Sequence, residues 1–225
     1  MTDDIEIGRR VLALEASALG DLGASLGADF VRALDAISGA KGRIICAGIG
    51  KSGHVARKIA ATLASTGTPA FFVHPAEASH GDLGMISPGD VVLALSKSGD
   101  TPELSDLVHY TRRFAIALIA MTAEKDSALA RAADIRLIIP NAREACAETH
   151  APTTSTTMMM AMGDAIAVAT LARRTPGRAS RTSPSSCYGT TTRWAGARSC
   201  RGRRSPIRRS ARSRSPPGSP TSARV

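Results

Sequence analysis

Six consecutive positions, Ser96-Lys-Ser-Gly-Asp-Thr101, place three hydroxyl side chains and a glycine directly behind the apolar run from Val91 to Leu95. Small hydroxyls and backbone N–H groups at the start of a helix form a cradle for an anion. Pro102 and Glu103 follow, and both suit a first helical turn. An ordinary strand–helix turn needs only one capping hydroxyl. Three of them, Ser96, Ser98 and Thr101, beside Gly99 favour a phosphate. A second turn, Gly48-Ile-Gly-Lys-Ser-Gly53, fits the spacing G-x-G-x-x-G. A dinucleotide site would want an acid after the next strand, where His74-Pro75 stand, and a P-loop would want glycine where Ile45 stands. What the turn offers is Lys51 and Ser52 at a helix N-terminus, suited to a small phosphorylated ligand; the plainer reading is a tight turn with a solvated lysine.

Two carboxylates and two histidines complete the chemistry. Glu103 opens the helix behind the first turn, and Glu144 follows the last strand in Asn141-Ala-Arg-Glu-Ala-Cys146. Each has a bland reading, as a helix-dipole acid and a solvated loop acid. Together they are a pair available for general acid–base work. His74 and His80 share one loop and are open to three roles: metal ligand, proton shuttle or hydroxyl partner.

The elements that position these groups alternate in type. Residues 4–38 show helical periodicity, broken into two helices by Gly20, Gly23 and Gly27. Strands are expected at 43–48, 70–73, 91–95, 115–120 and 135–139, and helices at 52–65, 103–113, 127–132 and 152–171. Five strands separated by helices predict an α/β fold, a parallel sheet flanked by helices on both faces, with ligands at the strands' carboxyl ends.

Composition limits the rest. The formal net charge is +10. It is unevenly spread: up to residue 172 there are fifteen Lys and Arg against nineteen acids, and after it fourteen Arg against none. Residues 173–225 are Arg, Ser, Pro, Gly, Ala and Thr-rich and are expected to be disordered. This tail reads as out-of-frame sequence, with an Arg-rich nucleic-acid arm as the other reading. No apolar run is expected to cross a membrane. The acidic N-terminus lacks a signal-peptide pattern, and the four cysteines show no metal spacing. These features predict a cytoplasmic protein with reduced thiols. The domains expected are helices at 1–40, a ligand-binding α/β domain at 41–172 and the tail at 173–225.

The motifs Gly48-Ile-Gly-Lys-Ser-Gly-His54, Ser65-Thr-Gly-Thr-Pro69, Phe72-Val-His-Pro75, Ala78-Ser-His-Gly-Asp-Leu-Gly-Met85, Ser96-Lys-Ser-Gly-Asp100, Arg143-Glu-Ala-Cys146 and Ala151-Pro-Thr-Thr-Ser-Thr-Thr157 with Met162-Gly-Asp164 run in order over about residues 8–172. Together they resemble the sugar isomerase (SIS) domain of the D-arabinose 5-phosphate isomerase family. The resemblance implies a flavodoxin-like three-layer fold. It implies interconversion of D-ribulose 5-phosphate and D-arabinose 5-phosphate through an enediol, for synthesis of the lipopolysaccharide sugar 3-deoxy-D-manno-octulosonate. It implies catalytic roles for Lys51, Glu103 and Glu144, substrate contacts at Gly67, Thr68, His74 and His80, and phosphate contacts along Ser96–Thr101. No cofactor is required, and zinc at His74 is the metal site it suggests. A homo-oligomer is expected. The family continues into a segment with a fourth catalytic residue, a His, and two CBS modules, whereas here no His follows His150. Pentose phosphate binding with poor turnover is the expectation, and a non-catalytic sugar-phosphate-binding module is the alternative.

Overall fold

The computed structural model describes residues 3–78, 80–146, 148–149 and 151–175. The expected disordered tail lies, from residue 176 onward, outside the described residues. Five parallel strands form one sheet in the order β2-β1-β3-β4-β5: β1 Ile44–Gly48, β2 Ala70–Val73, β3 Val91–Leu95, β4 Ala117–Thr122 and β5 Ile135–Ile138. The register pairs Gly48 with Leu95 and Leu95 with Met121, so the carboxyl ends of β1, β3 and β4 lie side by side. The helices are α1 Asp4–Ser25, α2 Ala28–Gly39, α3 Gly50–Ser65, α4 Pro75–Ala78, α5 Ser105–Arg113, α6 Ala128–Ala132 and α7 Thr154–Arg174.

Burial follows position in the sheet. Every residue of β1 and β3 is buried, as a central strand covered on both faces requires. One face packs Ile44, Cys46, Leu93 and Met121 under α1, α2, α3 and α7, and the other packs Ile45, Val92, Leu118 and Ala120 under α4, α5 and α6. β2 is an edge strand in which only Val73 is buried. The Arg43 and Arg57 guanidiniums lie 4.6 Å and 4.0 Å over the Phe71 and Phe72 rings, and covering an edge with charge disfavours stray strand pairing.

Three sequence expectations change. Gly20 and Gly23 lie inside α1, and the break comes only at Leu26–Gly27. β4 begins at Ala117, two residues late, because Ala115 takes a left-handed conformation with φ 51° in the turn after α5. α7 runs through Arg174, past the boundary expected at 172, and Arg173 pairs with Asp35 at 2.7 Å. By length and composition alone this helix could cross a membrane. Here it is a core helix, burying Met158, Met159, Met162, Ile166 and Ala167. Gly163 allows its closest approach to α3, since a Cβ there would lie 2.3 Å from Ile59.

Candidate functional site

The site forms where the loops after β1, β3 and β5 converge. β1 ends in Gly48, whose position leaves no room for a side chain: a Cβ would lie 3.0 Å from Ser52 backbone and 3.1 Å from the Leu95 carbonyl. Gly50 has φ +55° and turns the chain into α3. Lys51 and Ser52 are thereby set on the first turn of a helix that no side chain caps. The Ser52 hydroxyl contacts the Met159 sulfur of α7 at 4.0 Å.

After β3 the chain makes the Ser96–Thr101 turn. Ser96 is 4% exposed, and its hydroxyl accepts the Gly99 N–H at 3.0 Å and pairs with the Thr101 hydroxyl at 2.7 Å. With Ser96 donating to Thr101, the Thr101 hydrogen is left for a ligand. Ser96 is therefore the inner brace of the turn, while Ser98 is exposed and Thr101 half-buried. Gly99 is required, with φ +67° and a Cβ position 2.0 Å from Ser127 Oγ. Asp100 caps α6 by accepting the Ala128 N–H at 2.7 Å. A cleft of about 410 Å³ opens between α5 and α6 against this same turn, lined by Ser105, His109, Arg112 and Arg131 among others, with neither Lys51 nor Glu144 in its wall.

Glu144, in the loop after β5, is buried, and its carboxylate collects five hydrogen bonds. Lys97 Nζ donates to Oε1 at 2.7 Å and Ser155 Oγ donates to the same oxygen at 2.5 Å. Oε2 accepts the Thr153 N–H at 2.8 Å, the Ser155 N–H at 3.3 Å and the Thr153 hydroxyl at 3.3 Å. Glu144 thus caps the N-terminus of α7 from outside the helix, where an anion is favoured by both the orphan N–H groups and the helix dipole. Burial alone pushes its carboxyl pKa up. The Lys97 ammonium, the Ser155 hydroxyl and the two backbone N–H groups outweigh that and bring it down to about 2. Glu103, by contrast, is exposed in a 3-10 turn at Pro102–Leu104 and carries no hydrogen bond or ion pair among the described residues.

Lys51, Ser52, His74, Ser96, Ser98, Thr101, Glu103 and Glu144 all follow strand carboxyl ends, as the sequence predicts. Gly67 and Thr68 do not. They precede β2 and lie at the sheet's amino end, where Gly67, φ +83°, ends α3 and the Thr68 N–H donates to the Leu63 carbonyl at 2.8 Å. The Thr68 hydroxyl accepts from Arg174. Within one chain, their role is to close a helix rather than to meet the ligand loops. His80 is exposed in the turn after α4. His74 stacks edge-on to Phe72 at 6.1 Å, and its Nδ1 is buried with no partner among the described residues. No group of three His, Cys, Asp or Glu side chains among the described residues is placed to hold a metal. One nitrogen does not make a zinc site, so the donor set among the described residues does not fit that metal. The residue that the sequence reading missed is Lys97. Its signal was its place inside the phosphate turn, between Ser96 and Ser98.

An open parallel sheet with a hydroxyl-rich turn at the switch in strand order is the frame of an α/β ligand-binding domain, and the chain belongs to the SIS domain family, whose model matches residues 36–169. It is similar to the arabinose 5-phosphate isomerase KdsD of Pseudomonas aeruginosa, with 52% identity over 172 residues, 76% of this chain and 53% of that one. It is 48% identical to the arabinose 5-phosphate isomerase KdsD of Escherichia coli K12 over 169 residues, 75% of this chain and 52% of the relative. The chain spans about half the length of these curated relatives. Among solved structures, a protein of E. coli CFT073 in complex with arabinose 5-phosphate matches at a TM-score of 0.75 and 38% identity, covering 79% of this chain and 95% of that one.

Proposed function

We propose that this domain binds pentose 5-phosphates and interconverts D-ribulose 5-phosphate and D-arabinose 5-phosphate. The observation that carries the reading is the convergence of the Ser96–Thr101 turn, with Lys97 in it, on Glu144 and the N-terminus of α7, with Lys51 on the first turn of α3 after the neighbouring strand β1. The similarity to arabinose 5-phosphate isomerases supports the same substrate. In the mechanism, the turn holds the phosphate with the Ser98 and Thr101 hydroxyls and backbone N–H groups. A carboxylate removes the proton α to the carbonyl, an enediol forms, and the proton returns to the adjacent carbon. The Lys51 ammonium stabilises the developing oxyanion. In the ligand-free chain the Glu144 oxygens are occupied by five hydrogen bonds that hold its pKa down to about 2 and make it a weak base, whereas Glu103 has no bonded partner among the described residues.

The reading carries a cytoplasmic setting and a homo-oligomer. Burial pushes the Cys46 thiol up to about 12, and Cys46 and Cys146 are both unpaired, in keeping with reducing conditions. Ile5, Leu12, Val168 and Leu171 leave apolar surface on α1 and α7 for a second copy. The product would supply synthesis of the lipopolysaccharide sugar.

The test pairs calorimetric affinity for arabinose 5-phosphate with an assay of ribulose 5-phosphate conversion. Binding of the phosphate ester and weak binding of unphosphorylated arabinose are expected; equal affinities overturn the assignment. Turnover is expected to be low, because no His follows His150. A version carrying the family's downstream His segment should gain about 10²–10⁴-fold in rate, the worth of one acid–base group. Binding with no turnover in either version would make this a sugar-phosphate-binding module.

A further inference from the structure

Lys97 stands at an unusual junction. Its backbone is fixed, since its carbonyl accepts from the Thr122 hydroxyl and the Ala123 N–H, both at 3.0 Å. Its side chain leaves the phosphate turn and crosses to Glu144, 47 residues away in the chain. The two partners differ in exposure: the Lys97 side chain is 41% exposed and that of Glu144 only 7%. The lysine can therefore move on its flexible four-carbon stem, and the carboxylate cannot. Lys97 is the only charged group bonded to Glu144 among the described residues. The donors from α7, Thr153 and Ser155, are neutral, and Arg143, Cys146 and Glu148 of its own loop make no hydrogen bond to it.

A phosphate seated on Ser98 and Thr101 brings up to two negative charges to the turn that carries Lys97. Exposed to that field, the mobile partner of the pair shifts toward the phosphate. Glu144 then keeps its burial and loses its one cationic neighbour, and the phosphate adds like charge nearby. All three effects favour the protonated carboxyl.

We propose that Lys97 is a positioning residue shared between the bound phosphate and Glu144: an incoming phosphate draws the ammonium away and leaves a buried carboxylate ready to take a proton from the sugar. Resting on the pentose phosphate reading above, the device makes the second carboxylate available only when the phosphate turn is filled. Free water and unphosphorylated sugars then meet an inert Glu144.

The experiment is a pH titration of the Glu144 side-chain carboxyl by carbon NMR in the full chain, free and saturated with arabinose 5-phosphate, and the same pair for Lys97→Met. In the free protein the carboxyl should stay ionised down to about pH 3. Its midpoint should rise by about one to three pH units on ligand binding, the usual effect of losing an adjacent opposite charge. Lys97→Met should raise it to the same extent without ligand, and ligand should then move it little further. A merely structural lysine would alter stability, and the ligand would then shift the Glu144 midpoint equally in the two proteins through its own charge. A midpoint that stays put when calorimetry shows the ligand bound, or that is unchanged in Lys97→Met, overturns the proposal. Absence of any arabinose 5-phosphate binding overturns instead the substrate reading, and this inference with it.

Discussion

Replacing Glu144 by Gln isolates the contribution of the buried charge. The carboxylate accepts five hydrogen bonds, and a carboxamide offers one acceptor oxygen while turning an NH₂ group toward donors. The pKa is lowered from 4.5 to about 2 in the folded chain. At about 1.4 kcal/mol per pH unit this corresponds to an upper bound of about 3 kcal/mol of folding stability. The Lys97 partner is 41% exposed, so solvent screening reduces the expected cost of Glu144→Gln to about 2–3 kcal/mol at neutral pH. The sign follows from the direction of the shift. A carboxyl whose folded pKa is depressed stabilises the fold above the unfolded pKa, and that contribution fades as pH falls from 4.5 towards about 2. Urea unfolding of both proteins at pH 7, 5 and 3 reads this directly. The gap between them should be full at pH 7 and 5 and smaller by about 1.5–2 kcal/mol at pH 3. A gap of the same size at pH 7 and pH 3 would refute the argument, because it would mean that packing, not charge, holds Glu144 in place.

Other substitutions test the backbone that carries the site. Gly99→Ala should destabilise by at least about 1–3 kcal/mol by chemical denaturation, since φ is +67° and the new Cβ meets Ser127 Oγ at 2.0 Å; a neutral effect would disprove the turn geometry. Ser96→Ala should leave the buried Gly99 N–H unpaired at about 1–3 kcal/mol and weaken arabinose 5-phosphate more than arabinose in calorimetry. Gly163→Ala should cost about 1–3 kcal/mol by overpacking against Ile59, and should cost less when introduced into an Ile59→Ala background, as read by thermal melts of the four proteins.

The sequence by itself determined strands β2 and β3 and the turns behind them. β3 falls on Val91–Leu95 and β2 on Ala70–Val73, as expected, because a continuous apolar run is bounded sharply by polar turn residues. The glycines and hydroxyls at the start of α3 and in the Ser96–Thr101 turn are equally legible, since positive φ and close approach admit few other residues. Ala115 shows where such reasoning stops: nothing in its type announces a φ of 51°, and β4 starts late. Strand order was the decision of the tertiary structure. Only the arrangement β2-β1-β3-β4-β5 sets the loop after β5 near the one after β3, so that Lys97 reaches Glu144 and Glu144 reaches the head of α7. The same packing sent Gly67 and Thr68 to the far edge, because what they satisfy is the end of α3. Residue type fixes what a side chain can do, but the carboxyl's drop to about 2 exists only once groups 47 and 11 residues away have been brought within hydrogen-bonding distance.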